Sequence, residues 1–316
     1  MIIKKNFTIA LLLAAITLGG FNACKKKEKE DETPTLDAET QQFNDDANKY
    51  KNESDEISDA INGYIKDVPA FGRVAGVTST PICGVTVDSS QLAQKILIFN
   101  FDGITPCSSP SRTRAGQIKV QLTSGVHWSD VGAVLTETFI NYKVTRLSDN
   151  KSVTINGVKK ITNVNGNNWL GFLLGTTNLK YKERAFNVQV KFDNAQTATW
   201  NTAHIVEYSY APSTQITSFR CLGDTSLNSL SNVSAWGVNR FAQNFTTNYN
   251  TAWVSNSYCG FWRPISGELI HHLPSTAFTL TLGVDQNGFA STLNCAYGYK
   301  VSWTSGNNNG SVVLSY

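Results

Sequence analysis

The chain has 316 residues, 41% of them apolar and 16% charged, with a formal charge of +3. That is enough apolar material for a sizeable core, and it excludes a collagen-like or wholly disordered chain. A nucleic-acid surface is excluded too. Residues 25–67 hold 7 Lys/Arg against 13 Asp/Glu, residues 68–316 hold 18 against 11, and the surplus is scattered among Thr, Asn and Ser rather than clustered.

Residues 1–23 have the order of a lipoprotein signal peptide. Lys4 and Lys5 form a basic start, and Ile9 to Leu18 is an apolar run too short to span a bilayer. Gly19, Gly20 and Ala23 are small, and Cys24 follows. The signal peptidase needs a small residue before a cysteine whose thiol carries diacylglycerol. Ala23-Cys24 meets that need, although Phe21 replaces the usual Leu. The expected mature chain starts at Cys24, carries fatty acid there and sits at the outer membrane, with its face undecided.

Residues 24–35 read as a charged tether (Lys25-Lys26-Lys27-Glu28-Lys29-Glu30-Asp31-Glu32). Such a block stays solvated, and it loosely resembles surface-export signals of Bacteroidetes lipoproteins. Residues 36–67 read as one amphipathic helix. Leu36, Phe43, Ala47, Tyr50, Ile57, Ile61 and Tyr64 form its apolar seam, and Asp37, Glu39, Asp45, Glu53, Asp55 and Asp59 its polar face. Asn62-Gly63 weakens the end, and Pro69 prevents continuation. The seam suits packing on a body or a stalk better than a coiled coil.

Beyond Pro69 the apolar period changes from 3.6 to 2. Residues 117–122, 186–192 and 278–282 alternate cleanly, as half-buried antiparallel strands do. Asp149-Asn150, Asn156-Gly157, Asn165-Gly166, Asn287-Gly288 and the glycine–asparagine run 306–310 supply turn signals. The expected fold is mainly β: an antiparallel, sandwich-like body behind one N-terminal helix. It divides into a module over 68–212 and, over 213–316, a second module or a continuation of the first.

Apart from Cys24 there are five cysteines, an odd number, so one lacks an intrachain partner. A faint internal repeat places a cysteine, a strand, a second cysteine, a glycine and an alternating strand ending Thr-Ser-Gly around both Cys83–Gly125 and Cys259–Gly306. This repeat predicts disulfides Cys83–Cys107 and Cys259–Cys295, with Cys221 left free.

Several segments resemble an uncharacterised family of exported Bacteroidetes lipoproteins. The carrying residues are Phe99-Asn100-Phe101-Asp102-Gly103 with Cys107, Arg112-Thr113-Arg114-Ala115-Gly116, Phe139-Ile140-Asn141-Tyr142, Ile155-Asn156-Gly157-Val158 and Thr197-Ala198-Thr199-Trp200-Asn201. The resemblance spans roughly residues 83–210 and departs at the longer hairpin of 146–152. It implies export and a β fold, and brings neither an activity nor site residues.

No catalytic or cofactor motif stands out. His204 lies in phase with Trp200, Val206, Tyr208 and Tyr210, which suits a buried histidine. The adjacent His271 and His272 point to opposite faces of a strand and are poorly placed to chelate one ion. His127 falls in a loop. Asp102, Asp130, Glu137, Asp193, Glu207 and Glu268 could furnish a glycosidase pair, but no spacing selects one. Asp285 opens a hairpin turn rather than a calcium loop. Trp128, Trp169, Trp236, Trp253 and Trp262 stand beside Gly, Asn or Ser and are candidate ligand-binding residues, since flat rings stack on sugars while amides bond hydroxyls. The leading expectation is therefore a non-enzymatic, membrane-anchored binding or adhesion module for glycan or protein. A structural or accessory envelope component is the alternative, and a hydrolase comes third.

Overall fold

A computed structural model describes residues 37–72, 82–108, 111–167, 169–305 and 308–316. The signal peptide, Cys24 and the tether lie outside the described residues. Helix α1 (Ala38–Ile65) falls within the expected segment. Asp37 caps it, accepting from the Thr40 N–H at 2.9 Å, and Glu39 adds negative charge to the first turn. It ends just before Pro69, which opens a 3-10 turn at Pro69–Phe71.

Fifteen strands follow: β1 (Val85–Asp88), β2 (Ile96–Asp102), β3 (Arg112–Ser124), β4 (Val134–Arg146), β5 (Ser152–Asn163), β6 (Leu179–Phe192), β7 (Thr197–Ala211), β8 (Ile216–Gly223), β9 (Thr225–Leu227), β10 (Leu230–Val238), β11 (Asn244–Asn256), β12 (Ser266–His272), β13 (Ala277–Val284), β14 (Gly298–Ser305) and β15 (Asn308–Ser315). A one-turn helix, α2 (Trp169–Leu173), sits between β5 and β6. Ile118, Val120 and Leu122 are buried, as are Val188, Val190 and Phe192, and Phe278, Leu280 and Leu282. These are the inward positions of the three alternating segments.

All strands join one antiparallel sheet, so 68–212 and 213–316 are parts of one structure rather than separate modules. The second part continues the first through a fork. The beginning of β7 pairs with β10 and its end with β8, and β11 rejoins both.

A line of irregularities crosses the long strands at one level. Register shifts occur at Ala115/Gln117, Phe139/Tyr142, Asn156/Val158 and Ala185/Val188 on successive pairs from β3 to β7. Gly116 (φ 90°), Asn141 (φ 49°) and Asn187 (φ 55°) supply the left-handed backbone that bulges require. Asn side chains complete the unpaired groups: the Asn141 N–H donates to Asn156 Oδ1 at 2.7 Å, and the Asn187 N–H to Asn201 Oδ1 at 2.9 Å. Asn156-Gly157 is thus a bulge inside β5 and not a turn. Both need the same residues, because each needs unusual φ and a short polar side chain. Bulges bend strands, and here the inner face of the sheet receives α1.

Phe43, Tyr50, Ile57, Ile61 and Ile65 of α1 are buried. The Phe43 ring stacks on Trp200 of β7 at 6.1 Å and packs against Phe245 of β11 at 5.0 Å. The polar face is not wholly solvated as the sequence predicts: Asn44, Asp46, Glu53, Ser54 and Ser58 are buried too. The sheet provides their counter-charges. Arg240 forks onto Asp46 at 2.5 and 2.6 Å. Arg112 pairs with Glu53 and Glu56, and Arg114 with Glu56 at 2.8 Å.

Candidate functional site

Two features are built from several elements: a polar cavity beside α1, and a rim of apolar side chains at one end of the sheet.

The cavity measures about 50 Å³ and lies between α1 and strands β5–β7 and β10–β12. At roughly 10–15 Å³ per water it has room for a few molecules. Lys51 and Asp55 face it from the helix, and Lys159, Glu183, His204 and His271 from the sheet. Lys159 Nζ stands 2.8 Å from Glu183 and 3.5 Å from Asp55, and it donates to Ser58 Oγ at 3.2 Å. Ser58 in turn donates to Glu137 at 2.6 Å. Lys51 pairs with Asp55.

Burial opposes charge on Lys159, but Glu183, Asp55 and Glu137 outweigh it and hold its pKa above the ordinary lysine value. Burial likewise opposes charge on Asp55, yet Lys51 and Lys159 keep it below the carboxylate range. Burial pushes Glu137 up to about 7, with Lys159 and Ser58 only partly offsetting it. His204 is pushed down to about 3 by burial and then Lys51, and His271 to about 3 by burial and then His272. His271 bonds Thr247 at 2.7 Å, whereas His272 bonds Asn248 at 2.8 Å on the other face. The cluster therefore neutralises its own charges. Two carboxyls stand near neutrality: Glu137, which is wholly buried, and Asp59, pushed up to about 7 by desolvation and then by Glu183 and Asp55. Among the described residues no three of His, Cys, Asp and Glu converge to hold a metal ion.

The five candidate tryptophans do not share a surface. Trp128 is 2% exposed, stacks on Tyr181 and donates to Asn62 Oδ1 at 2.7 Å, so it belongs to the core and cannot face a ligand. Trp169 is half-buried under Lys66, whose Nζ lies 4.1 Å from the ring centroid. Trp253 lines the cavity below Lys51. Trp236 meets Phe186, an exposed outward residue. Trp262, 69% exposed, is the one of the five that projects freely.

Trp262 stands on the rim. The antiparallel order brings loops 125–133, 164–178, 212–215, 257–265 and 285–297 to one end of the sheet. The helix runs toward that end, since Asn62 meets Trp128 and Lys66 meets Trp169. Its start lies at the opposite end, where Gln243 donates to Glu39 at 3.1 Å and Arg240 grips Asp46. The rim loops carry exposed Val126 and Val131, Leu170, Leu173 and Leu174, Tyr258 and Phe261, and Phe289 (71%) and Leu293 (75%). A second exposed apolar group lies on the outer face of the sheet, where Val158 of β5 faces Phe186 of β6 and Phe186 meets Trp236.

Two of these loops are clamped. Cys259 and Cys295 join 257–265 to 285–297 with a Cα separation of 5.4 Å, and Cys83–Cys107 forms likewise at 5.8 Å. Cys221 is free and buried. Arg263 turns inward and donates twice to the Ala296 carbonyl, at 3.0 and 2.7 Å. Asp130 accepts from the Val126 and His127 N–H groups, and Asp285 from those of Asn287 and Phe289. The charged groups thus hold the loops' backbone, while the apolar ones point outward. Leu170, Leu173, Leu174, Phe289 and Leu293 were not anticipated. The available signal was an apolar cluster within turn-forming sequence, out of phase with any strand. No protein-family model, curated protein or solved structure matches the chain.

Proposed function

We propose that the chain is an exported lipoprotein of the Bacteroidetes kind, held at the outer membrane by lipid on Cys24, whose β body acts by binding rather than by catalysis. The observation that carries the binding role is the clamped apolar rim at the end of the sheet far from the start of α1, where the described chain begins. Rigid scaffolds with apolar groups on loop tips are suited to contact. The non-catalytic reading draws on the cavity, whose carboxylates are tied to Lys159 or buried. Glycan is less favoured than it was from sequence, because the rim is largely aliphatic and four of the five tryptophans are engaged elsewhere.

No helix among the described residues is long and apolar enough to cross a membrane. On this reading attachment falls to the lipid, because two or three acyl chains at about 0.8 kcal/mol per buried CH₂ hold firmly where one does not. The test of the anchor is incorporation of labelled fatty acid. Cys24→Ser abolishes it and leaves the leader uncleaved, so the variant keeps the mass of the precursor; continued labelling of that variant defeats the assignment. A hydrolase panel tests the rest, and turnover lost on replacing one cavity carboxylate overturns the binding role.

A further inference from the structure

The polar cavity lies at the fork of the sheet. β7 exchanges partners between Thr202, which faces Ala235 of β10, and His204, which faces Gly223 of β8. β11 makes the matching exchange between Asn248, opposite Val233 of β10, and Trp253, opposite Cys221 of β8. Thr202, His204, Tyr249 and Trp253 line the cavity at these points, and α1 covers it with Tyr50, Lys51 and Ser54. Four of the lining side chains are unpaired. Tyr50, Ser54, Thr202 and His204 are 4, 6, 8 and 7% exposed, yet among the described residues none of the four makes a side-chain hydrogen bond. Buried polar groups are nearly always paired. Four unpaired ones on a single cavity mark a site that takes its partners from outside the chain.

The lining also defines what fits. Its cations and carboxylates already answer one another, Lys51 with Asp55, and Lys159 with Asp55 and Glu183, so a charged solute finds no free counter-charge. The three unpaired hydroxyls can each donate and accept, and the neutral ring of His204 offers one donor and one acceptor. The hydroxyls of a solute have the same twofold capacity. Trp200, Tyr249 and Trp253 add rings against which C–H groups pack. At roughly 10–15 Å³ for each water-sized group, the 50 Å³ cavity holds about three to five of them. The two carbons and two oxygens of a vicinal diol fill that space. Asn48, Lys51, Ala235 and Trp253 are half-buried lining residues and mark the side of entry, so the rest of a larger molecule stays outside, beside Trp253. We propose that this cavity binds the vicinal diol of an uncharged polyol or sugar. The site is separate from the rim and depends neither on it nor on lipidation.

The experiment is saturation-transfer difference NMR on the purified full chain, titrated with glycerol and with glucose. At least one of the two gives saturable transfer. Binding of glucose alone identifies a sugar ring as the source of the diol, and binding of glycerol alone an open-chain polyol. Tyr50→Phe and Thr202→Val each weaken the binding by about tenfold. Neither lowers the midpoint of urea unfolding, because neither hydroxyl has a partner within the protein, and the unchanged midpoint shows that each variant is folded. Glycerate, a diol of similar size that carries a carboxylate, does not displace the bound polyol. Absence of saturable transfer from both probes overturns the proposal and leaves the cavity to water. Binding of unchanged strength in both variants also overturns it, because the polyol then sits elsewhere. A lowered midpoint in both variants gives the two hydroxyls a structural role and overturns it as well, and displacement by glycerate defeats the uncharged ligand.

Discussion

At the residue scale, the environment of a tryptophan decides its role more than the residue type does. Trp200 is 2% exposed and lies against Phe43, Tyr50 and Phe245. Trp200→Ala leaves a large cavity and costs about 3–5 kcal/mol in urea unfolding, whereas Trp262→Ala changes stability by no more than about 0.5 kcal/mol. Equal effects would show that the rim residue is part of the core. Glu137 gives a signed pH test. Its pKa rises from 4.5 to about 7 on folding because burial disfavours the charged form. The folded state therefore binds the proton more tightly than the unfolded state. The resulting stabilisation is complete below pH 4.5 and is lost as pH rises through 7. Glu137→Gln removes that fall, which amounts to about 3 kcal/mol. His204 and His271 have the opposite sign. Their lowered pKa values give stability above pH 6.5 that is lost as pH falls toward 3. Both histidines are common to parent and variant, so the difference between the two unfolding curves isolates Glu137. A difference that does not change between pH 4.5 and 7 contradicts the assignment.

At the element scale, the line of bulges accounts for why several motifs are spelled as they are. An added Cβ at Gly116 would lie 2.1 Å from the Asn141 carbonyl oxygen, at a φ that L side chains avoid. Gly116→Ala is therefore expected to cost about 2–3 kcal/mol, well beyond the ~1 kcal/mol of a simple loss of glycine freedom. Asn156→Ala, which leaves the Asn141 N–H unpaired, costs about 1–2 kcal/mol. Chemical denaturation measures both, and a neutral Gly116→Ala would deny the bulge. Much of the element plan was legible in the sequence, because burial follows period. Helix α1, the alternating strands and both disulfides rest on local spacing. The bulges were not legible, since Asn-Gly serves a hairpin and a bulge equally well. Nor was the burial of the polar helix face, because it depends on Arg112, Lys159 and Arg240 arriving from 59 to 194 residues away. One signal was present: Lys159 keeps the phase of buried Val153, Ile155 and Ile161, and Glu137 that of Leu135 and Phe139. A charge at an inward position asks for a partner, and α1 is the element that provides it.

At the scale of the whole molecule, helix and sheet depend on each other. The inner face of the sheet presents Arg112, Arg114, Lys159 and Glu137, which are buried because α1 lies over them. Without the helix these groups would still sit among apolar neighbours, but without Glu53, Glu56, Asp55 and Ser58 to satisfy them. The apolar inner face would also meet water. One buried pair tests this coupling. Lys159→Met removes the cation between Glu183 and Asp55 while retaining the bulk of the side chain. Breaking a buried ion pair from one side costs about 3–5 kcal/mol, because the remaining carboxylates stay desolvated. The loss is expected to be smaller at low pH, where protonation relieves the carboxylates. A triple variant that adds Glu183→Gln and Glu137→Gln is expected to recover most of the stability, since the carboxyls that Lys159 alone served are then neutral and Asp55 keeps Lys51 as its partner. Guanidinium unfolding of the parent, single and triple variants, followed by both far-ultraviolet circular dichroism and tryptophan fluorescence, reads the outcome. Coincident transitions with partial recovery in the triple variant identify the cluster as the clasp between helix and sheet. A single variant as stable as the parent would instead mean that α1 is held by Phe43, Tyr50, Ile57 and Ile61 alone, with the ion pairs contributing nothing measurable.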